Sequence, residues 1–398
     1  MFDLRALPQS FFDDPYSEYR ALQETAPVYP LPGGGWFLTR HADLDAIYRD
    51  TARFTSDKRV EFAPKFGVSS ALYEHHTTSL VFNDPPLHTR VRRLLAGALT
   101  PRALAAMEPD LISLVDGLLD RLSPQPDLIA DFAAAIPIEV IGNLLGVPRA
   151  DRSPLRAWSL AILGALEPAP SPEVLERGNT AVTDFTAYLG GLVADRRLHP
   201  GDPARDVLTR LLGSASDVEE LTAAELLHNC IFILNAGHET TTNLIGNGLN
   251  LLLQWPEERR RLLSEPGLIA PAVEEFLRFE SSNQLGNRTA AEPTMIGGVQ
   301  LPAGAALTLC IGAANRDPAV FEEPDRLNIG RHPNRHLAFA AGPHQCIGMT
   351  LARLEGRLAI SRFVARFPRY TRVETPKRGA RARFRGLEEL QVSLESLH

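Results

Sequence analysis

The stretch FAAGPHQCIG places Cys346 between Gly342 and Gly348. An apolar helical pattern begins at Cys346, so the helix dipole and unpaired backbone N–H groups would stabilise a thiolate there. The two glycines allow the backbone to approach a flat ligand closely, His344 supplies a hydrogen-bond donor, and Phe339 supplies a ring. These are the parts that hold a cysteine thiolate against a haem iron.

A second unusual segment is AGHETT, which lies in the middle of a strongly apolar helical pattern. Small Ala236 and Gly237 would let a diatomic ligand or a substrate lie against the helix. Glu239 and Thr240 form an acid–alcohol pair that could relay protons to dioxygen while its O–O bond cleaves. This segment therefore predicts proton delivery to an oxygen-activating centre.

Simpler interpretations of both segments stay open. An arbitrary cysteine is more often a buried apolar thiol than a ligand, and we expect Cys230 and Cys310 to be core thiols. Zinc is disfavoured, because no CxxC motif accompanies Cys346. The zinc-protease motif HExxH also fails, since Thr242 stands where it requires a second histidine. We expect His238 to point away from a haem rather than to ligate it.

Two predicted helices carry these segments. The first opens with a capping box formed by Thr222 and Glu225, and its apolar residues nearly encircle it, as in a buried helix. The second begins at Cys346, and its pattern places this residue at or just before the helix N-terminus. The apolar residues that trace one face of this second helix are Ile347, Leu351, Leu354 and Leu358.

The remaining pattern is helical from about residue 87 to residue 268. Strand-like pieces occur at residues 28–31 and 36–39, with a glycine turn at 33–35, and later in GGVQLPAGAALTLCI and EELQVSL. We therefore expect a large helical body with a small β-rich minority.

Composition narrows the function classes. The chain has 398 residues and a formal net charge of −7, which argues against nucleic acid as its main partner. No apolar run approaches the roughly 20 residues that cross a bilayer, and the N-terminus does not read as a signal peptide. Three cysteines are too few for a disulfide framework, which fits a reducing cytoplasm. The eleven histidines look scattered, without a pair at metal-ligand spacing.

The cysteine stretch resembles the haem-binding signature of the cytochromes P-450, F-x-x-G-x-[RH]-x-C-x-G. AGHETT is similar to the family's oxygen-activation segment, [AG]-G-x-[DE]-T-[TS]. The signature positions that this sequence matches are Phe339, Gly342, His344, Cys346 and Gly348. The resemblance covers essentially the whole chain and is with the short, soluble bacterial members.

The resemblance implies one cytochrome P-450 domain over residues 1–398, mainly α, with its β-rich portion at about 25–60, 285–312 and the C-terminus. The helical body would cover about 87–280 and 346–366. Haem b, iron protoporphyrin IX, would lie between the Ala236–Thr241 helix and the Cys346 helix.

Other family positions also match. Glu275 and Arg278 in VEEFLRF match the family's ExxR and share one helix face, so they can form an ion pair. The resemblance implies a further arginine in this buried network, for which Arg316 is the candidate. Taken alone, ExxR is a weak signal, because an exposed helix can carry the same pair as solvated charges.

The resemblance also implies cations for the two haem propionates. The candidates are His88, Arg92, Arg288 and His344. His88 and Arg92 stand one helical turn apart and can face one carboxylate. An ordinary surface charge is the alternative for each of them.

The implied activity is a monooxygenase that inserts one atom of dioxygen into a C–H bond or brings about dealkylation. Electrons would come from a separate ferredoxin or flavodoxin system, and Arg93, Arg353 and Arg357 could form a basic patch for an acidic donor. We expect a cytoplasmic monomer that binds neither membrane nor nucleic acid. A peroxide-driven peroxygenase and a non-catalytic haem sensor are the alternatives.

By family position, two segments wall the substrate pocket. Their candidate residues are Phe232, Asn235, Asn283, Gln284 and Leu285. Buried amides beside an apolar cavity favour a small or medium, mostly apolar molecule with an oxygen or nitrogen function, although water or backbone partners are the simpler explanation. A bare carboxylate is less favoured, although Lys58, Arg59 and Lys65 could supply cations for one.

Overall fold

The computed structural model describes residues 1–97, 99–203, 206–213 and 221–395. Over these residues the chain is mainly α-helical with a small amount of β-structure, so the predicted fold class is confirmed. The α-helices are α1 (Gln9–Asp13), α2 (Tyr16–Thr25), α3 (His41–Arg49), α4 (Arg59–Phe66), α5 (Ala71–Thr78), α6 (Leu87–Ala96), α7 (Pro101–Leu119), α8 (Ala135–Leu144), α9 (Leu155–Gly164), α10 (Pro172–Leu198), α11 (Val207–Gly213), α12 (Ala223–Gln254), α13 (Pro256–Ser264), α14 (Ile269–Phe279), α15 (Ile311–Ala314) and α16 (Met349–Arg366). The strands are β1 (Val28–Pro30), β2 (Trp36–Leu38), β3 (Phe54–Thr55), β4 (Leu285–Ala290), β5 (Thr294–Ile296), β6 (Val299–Leu301), β7 (Ala306–Cys310), β8 (Thr371–Arg372) and β9 (Val392–Ser393).

The chain forms two compact units. The first contains Met1–Phe54, Pro109–Ile136 and the residues from Thr240 onward, and the second contains Thr55–Glu108 and Pro137–Glu239. The division falls inside α7, α8 and α12, so each of these helices contributes to both units. A single domain over 1–398 stays a prediction.

A five-stranded sheet in the order β1-β2-β7-β4-β3 belongs to the first unit through most of its length. β1 runs antiparallel to β2, and the predicted turn between them uses Gly34 and Gly35 at φ values of 91° and 81°. β4 pairs antiparallel with β7, which sets Arg288 opposite Leu307. The alternating side chains of these strands bury Leu38, Leu307 and other apolar residues against α3.

α14 and α16 pack together in the first unit. The apolar positions Leu351 and Leu354 of α16 are buried, as their spacing predicts. The helix begins at Met349, so the prediction that Cys346 lies at or just before the helix N-terminus is confirmed. Cys346 therefore lies in the loop that leads into the helix.

α12 is the longest helix of the described residues, and its capping box is confirmed. The Glu225 carboxylate accepts from the Thr222 backbone N–H at 2.8 Å, and the Thr222 hydroxyl accepts from the Glu225 N–H at 3.1 Å. Leu234, Ile245 and Leu249 are completely buried. Burial on most sides explains why the apolar residues of this sequence follow no single stripe.

The second unit is helical. α10 packs on α9, where the rings of Trp158 and Phe185 stack with centroids 5.0 Å apart, and α10 also packs on α5. Among residues 1–97, 99–203, 206–213 and 221–395, no helix is both long and apolar enough to cross a membrane.

Candidate active site

The cysteine loop presents an accessible sulfur. A short 3-10 turn at Gly342–His344 precedes Cys346, whose backbone N–H donates to the Phe339 carbonyl at 2.9 Å. Cys346 is exposed, whereas Cys230 and Cys310 are buried, and burial raises the pKa of each buried thiol to about 12. The core-thiol prediction for the latter two is confirmed. An exposed cysteine just ahead of a helix is available as a ligand.

Close backbone approach holds this loop in place. Gly342 has φ of 67°, and a Cβ there would clash with the Tyr48 carbonyl and lie 2.9 Å from the Arg49 Cα, so the position requires glycine. Ala340 is also left-handed, at φ of 54°, which is strained for a residue with a side chain. At Gly348 the nearest atom to an added Cβ is the Cys346 sulfur, 4.0 Å away. The loop is thus held close to the backbone at Tyr48 and Arg49.

A half-buried ion network braces the loop. Arg353 donates to both Glu274 oxygens, at 2.7 and 2.8 Å, and its guanidinium lies 4.8 Å from the ring centroid of Phe339. His336 Nε2 lies 3.1 Å from the same carboxylate. Burial raises the pKa of Glu274, but hydrogen bonds from His336 and Arg353 outweigh it and hold the pKa at about 2. The network ties α16 to the residues just before the loop.

This pairing changes the expected role of Arg353. Its guanidinium is held by Glu274, which raises the pKa of Arg353, and the Cys346 sulfur raises it further. Arg353 is therefore a support of the cysteine loop first, and it is a poor candidate for a mobile donor-binding charge. Arg93 and Arg357 are exposed, and their assignment to a donor stays a prediction.

The ExxR pair lies at the centre of the first unit. Arg278 donates to Glu275 at 2.7 and 2.8 Å, and both side chains are fully buried. The same carboxylate accepts from Arg331 Nε at 3.2 Å and from the Asn334 amide at 3.1 Å. The Asn328 backbone N–H adds a bond of 2.9 Å. The predicted ion pair is confirmed, and it tethers the segment that leads to the cysteine loop.

The prediction of Arg316 as the third member was wrong, because Arg331 occupies that place. The Arg316 guanidinium lies between two rings, 3.4 Å from the centroid of Tyr16 and 3.8 Å from that of Phe279, and donates to the Phe279 carbonyl at 2.8 Å. Arg331 was missed because it lies in the irregular segment NIGRHPN. Helical spacing, the signal used for ExxR, does not exist there.

The expected propionate cations divide between the units. Arg288 is buried on β4, with its guanidinium 5.1 Å from the Tyr48 ring centroid and bonded to the Asn287 carbonyl at 2.7 Å. His344 is half-buried beside Cys346 in the same unit. In the second unit, α6 carries buried His88 and half-buried Arg92 one turn apart.

An accessible stripe crosses the otherwise buried middle of α12. Phe232 and Thr240 are half-buried and Ala236 is exposed, and these three are spaced by four residues on one face. Gly237 is also partly accessible, and a Cβ there would lie 2.6 Å from the Ile141 side chain. Glu239 is buried beside the stripe. The predicted oxygen-activation residues thus lie where the helix leaves room for a ligand.

Thr240 has additional backbone support. The Ser282 hydroxyl donates to the Thr240 carbonyl at 2.8 Å, so a residue outside the helix bonds to α12 at this position. His238 lies on the opposite face of α12 from Ala236. Its side chain is buried, and burial lowers its pKa to about 3. A neutral, enclosed imidazole agrees with the expectation that His238 points away from the stripe.

The predicted pocket residues differ in what they do. Leu285 is completely buried in the first unit's core with Tyr19 and Phe37. The Gln284 amide donates to the Ser281 carbonyl at 2.7 Å and lies 3.4 Å from the Tyr16 hydroxyl. These contacts build the fold, which argues against pocket roles for both residues.

The other three pocket candidates remain. Asn283 is half-buried and bridges to Phe384, Phe232 lies on the accessible stripe, and Asn235 is buried one turn before Glu239. Of the cations considered for a carboxylate, Lys58 pairs with Glu61 at 2.9 Å. Arg59 pairs with Asp57 at 3.3 Å, and Lys65 donates to the Glu167 carbonyl at 2.8 Å. A neutral substrate group stays a prediction.

Comparisons with known proteins agree with this geometry. The profile of the cytochrome P450 family matches residues 171–382. The chain is 36% identical to the biotin biosynthesis cytochrome P450 of Bacillus subtilis over 97% of each sequence. It is 38% identical to the vitamin D(3) 25-hydroxylase of Pseudonocardia autotrophica over 90% of this chain and 88% of that protein.

Solved structures are equally similar. P450BioI in complex with an acyl carrier protein that bears hexadec-9Z-enoic acid superposes with a TM-score of 0.91 at 36% identity, covering 97% of this chain and 100% of the other. A myxobacterial cytochrome P450 in complex with myristic acid gives a TM-score of 0.89 at 33% identity, covering 98% and 100%. The chain belongs to the cytochrome P450 family, and it is a haem-thiolate monooxygenase of the type found in bacteria.

The residues present fit a haem. The requirements are an accessible thiol ahead of a helix, a loop that only glycine allows, and a helix face with small residues. Cys346, Gly342 and Ala236 meet these three requirements in turn. Among the described ranges there is no cluster of three or more His, Cys, Asp or Glu side chains placed to hold a metal ion.

We predict that Arg331→Met lowers the free energy of unfolding by about 1–3 kcal/mol, because it removes donors from the buried Glu275 carboxylate. Exposed Arg357→Met serves as the control and should change stability by less than about 0.5 kcal/mol. Urea unfolding of both variants measures the difference. Equal stabilities would show that Arg331 is not part of the buried network.

Proposed function

We propose that this monooxygenase binds haem b with Cys346 as the axial ligand of the iron. The observation that carries the proposal is the exposed sulfur of Cys346, held in a loop that only glycine at position 342 permits. When bound, the haem supplies the iron at which dioxygen is reduced and one oxygen atom is transferred to a C–H bond. The protein's own task is to orient the thiolate, the proton donors and the substrate.

The thiolate is prepared by its surroundings. The backbone N–H groups at the start of α16 and the nearby Arg353 guanidinium both favour a negative sulfur. Arg288 and His344 lie in the same unit and are suited by charge and hydrogen bonding to the propionates. The same role for His88 and Arg92 stays a prediction based on family resemblance.

Glu239 and Thr240 are proposed to deliver protons. Glu239 is buried, and Thr240 is partly accessible on the stripe of α12. A proton can therefore pass from the Glu239 carboxyl group to the Thr240 hydroxyl and from there to a ligand at the stripe. The hydrogen bond from the Ser282 hydroxyl to the Thr240 carbonyl holds the backbone of Thr240 in position. An intact acid–alcohol pair favours a monooxygenase over a peroxygenase or a sensor.

Electrons are proposed to come from a ferredoxin or flavodoxin with its reductase. The exposed Arg357 offers an acidic donor a charge on α16, the helix that follows the cysteine loop. We propose that the enzyme acts as a cytoplasmic monomer. The assignment of an electron donor follows from the family's need for single electrons from a protein partner.

The proposed substrate is small or medium, mostly apolar, and carries a neutral oxygen or nitrogen function. The ligands named for the structural relatives, hexadec-9Z-enoic acid and myristic acid, share an apolar chain with an oxygen-bearing end. In this chain, Phe232 offers apolar contact on the stripe, and Asn235 offers an amide one turn before Glu239. The reaction is a hydroxylation or a dealkylation of that molecule.

We predict that Cys346→Ala abolishes the red-shifted Soret band of the reduced carbon monoxide complex, because the variant has no thiolate to ligate the iron. Cys230→Ala is the control and should retain the band. Absorption spectra of the haem-loaded proteins decide the question. A surviving band in Cys346→Ala would disprove the ligand assignment.

We predict that Thr240→Ala uncouples electron consumption from product formation. Product per electron pair should fall at least about tenfold, and hydrogen peroxide should take its place, since the hydroxyl no longer positions a proton. Glu239→Gln should slow turnover more than it weakens substrate binding. Thr241→Ala, at a buried neighbouring position, should stay coupled. Unchanged coupling in Thr240→Ala would remove this hydroxyl from the mechanism.

A further inference from the structure

Three of the histidines that look scattered in the sequence come together in the second unit. His75 and His76 lie on α5, and His228 lies on α12. The His75 ring is 4.8 Å from the His76 ring and 5.6 Å from the His228 ring, measured between centroids. All three side chains are buried, with exposures of 1%, 2% and 4%. The site described above uses none of them.

Asn235 completes this cluster and sets the hydrogen-bonding roles. Its amide nitrogen lies 3.5 Å from His75 Nε2, a long hydrogen bond in which the amide donates. The neutral imidazole then carries its proton on Nδ1, which becomes a donor. The carbonyl oxygen of Asn235 is an acceptor. His75 Nδ1 lies on the far side of the ring from Asn235, so the atom that the pair offers to a further group is the Asn235 carbonyl oxygen.

Both of these atoms lack a partner within the described part of the chain, and so does His228 Nδ1. His75 and Asn235 are only 1% and 2% exposed, so bulk water does not compensate. Each unsatisfied buried polar group costs about 1–3 kcal/mol. The Asn235 carbonyl oxygen therefore calls for a group that donates a hydrogen bond to it.

The cluster adjoins the catalytic face of α12. His228, Asn235 and Glu239 lie on one side of the helix, since successive members are seven and four residues apart. Phe232 lies between them on the same side and also belongs to the accessible stripe. A ligand that lies along Phe232 can therefore reach Asn235 with one end.

The charge of the cluster selects the ligand. Burial, with His76 and His228 beside it, lowers the pKa of His75 well below its usual value. Burial also lowers the pKa of His228, against the opposing effect of Glu74, whose carboxylate lies 3.7 Å from His228 Nε2. The imidazoles of His75 and His228 are therefore neutral at neutral pH, with the Glu74 carboxylate nearby. A carboxylate ligand could not donate a hydrogen bond to the Asn235 carbonyl oxygen.

We propose that His75 and Asn235 form a binding subsite for a hydroxyl group of the substrate. The hydroxyl donates to the Asn235 carbonyl oxygen, and His75 positions that oxygen by accepting from the Asn235 amide nitrogen through Nε2. The proposal rests on the proposed monooxygenase function and names the neutral end of its substrate as an alcohol. Beyond His76, whose ring is 5.7 Å from that of Phe62 and 5.3 Å from that of Phe66, the surroundings are aromatic and apolar.

The test compares three ligands of equal chain length: decan-1-ol, decane and decanoate. Each is titrated into the haem-loaded ferric protein, and the dissociation constant is read from the substrate-induced shift of the Soret band. The wild type should bind decan-1-ol more tightly than decane or decanoate. Tighter binding of decanoate, or equal binding of alcohol and alkane, would overturn the proposal.

Variants locate the effect. His75→Phe keeps a ring of similar size, and Asn235→Leu keeps the volume of the amide. Each should weaken decan-1-ol binding about 2- to 10-fold, the equivalent of one hydrogen bond, and leave decane unchanged. The exposed His199→Phe is the control and should alter neither. Equal losses for alcohol and alkane, or no loss in both variants, would contradict the subsite.

The reduced carbon monoxide spectrum of each variant separates this inference from the proposed function. A retained red-shifted band shows that the protein is folded and that the thiolate ligand is intact. With that band present, a missing preference for the alcohol overturns the subsite alone. If His75→Phe loses the band, Asn235→Leu decides the outcome, because it changes the other member of the pair.

Discussion

The buried carboxylate of Glu275 is the interaction on which the rest of the site depends. With no solvent exposure, its charge is tolerable only because Arg278, Arg331 and the amides of the following segment surround it. Breaking such a pair leaves an uncompensated buried charge, which costs about 3–5 kcal/mol. The neighbouring Glu274 holds Arg353 in the same way. Two consecutive glutamates of α14 therefore anchor the chain before and after Cys346.

The same logic explains the long helix α12. Its capping box stabilises the N-terminal end. Buried residues such as Leu234 and Ile245 hold the helix in place on both sides of its polar middle. The helix can then carry Ala236, Gly237 and Thr240 on an accessible stripe with little loss of folding stability. Rigid support on all other sides is what allows one helix face to stay open for a ligand.

Local signals made much of the structure predictable. The capping box and the Glu275–Arg278 pair each depend on residues within a few positions of one another, and both are confirmed. The cysteine loop is equally local, and its role in holding a haem stays a prediction. Arg331 escaped prediction because an irregular segment brings it to Glu275 without any periodicity. The grouping of His75 with His228 depends on the packing of α5 beside α12, which no local pattern encodes. Gln284 was assigned to the pocket by family position, whereas its amide bonds within the first unit.

The most direct test of the account is iron K-edge X-ray absorption of the haem-loaded ferric enzyme, compared with the Cys346→Ser variant. The central claim is that the glycine-shaped loop presents Cys346 to the iron. The account predicts one sulfur atom in the first coordination shell of the wild type and none in the variant. A sulfur signal that survives in the variant, or a wild-type shell of nitrogen and oxygen alone, would contradict it.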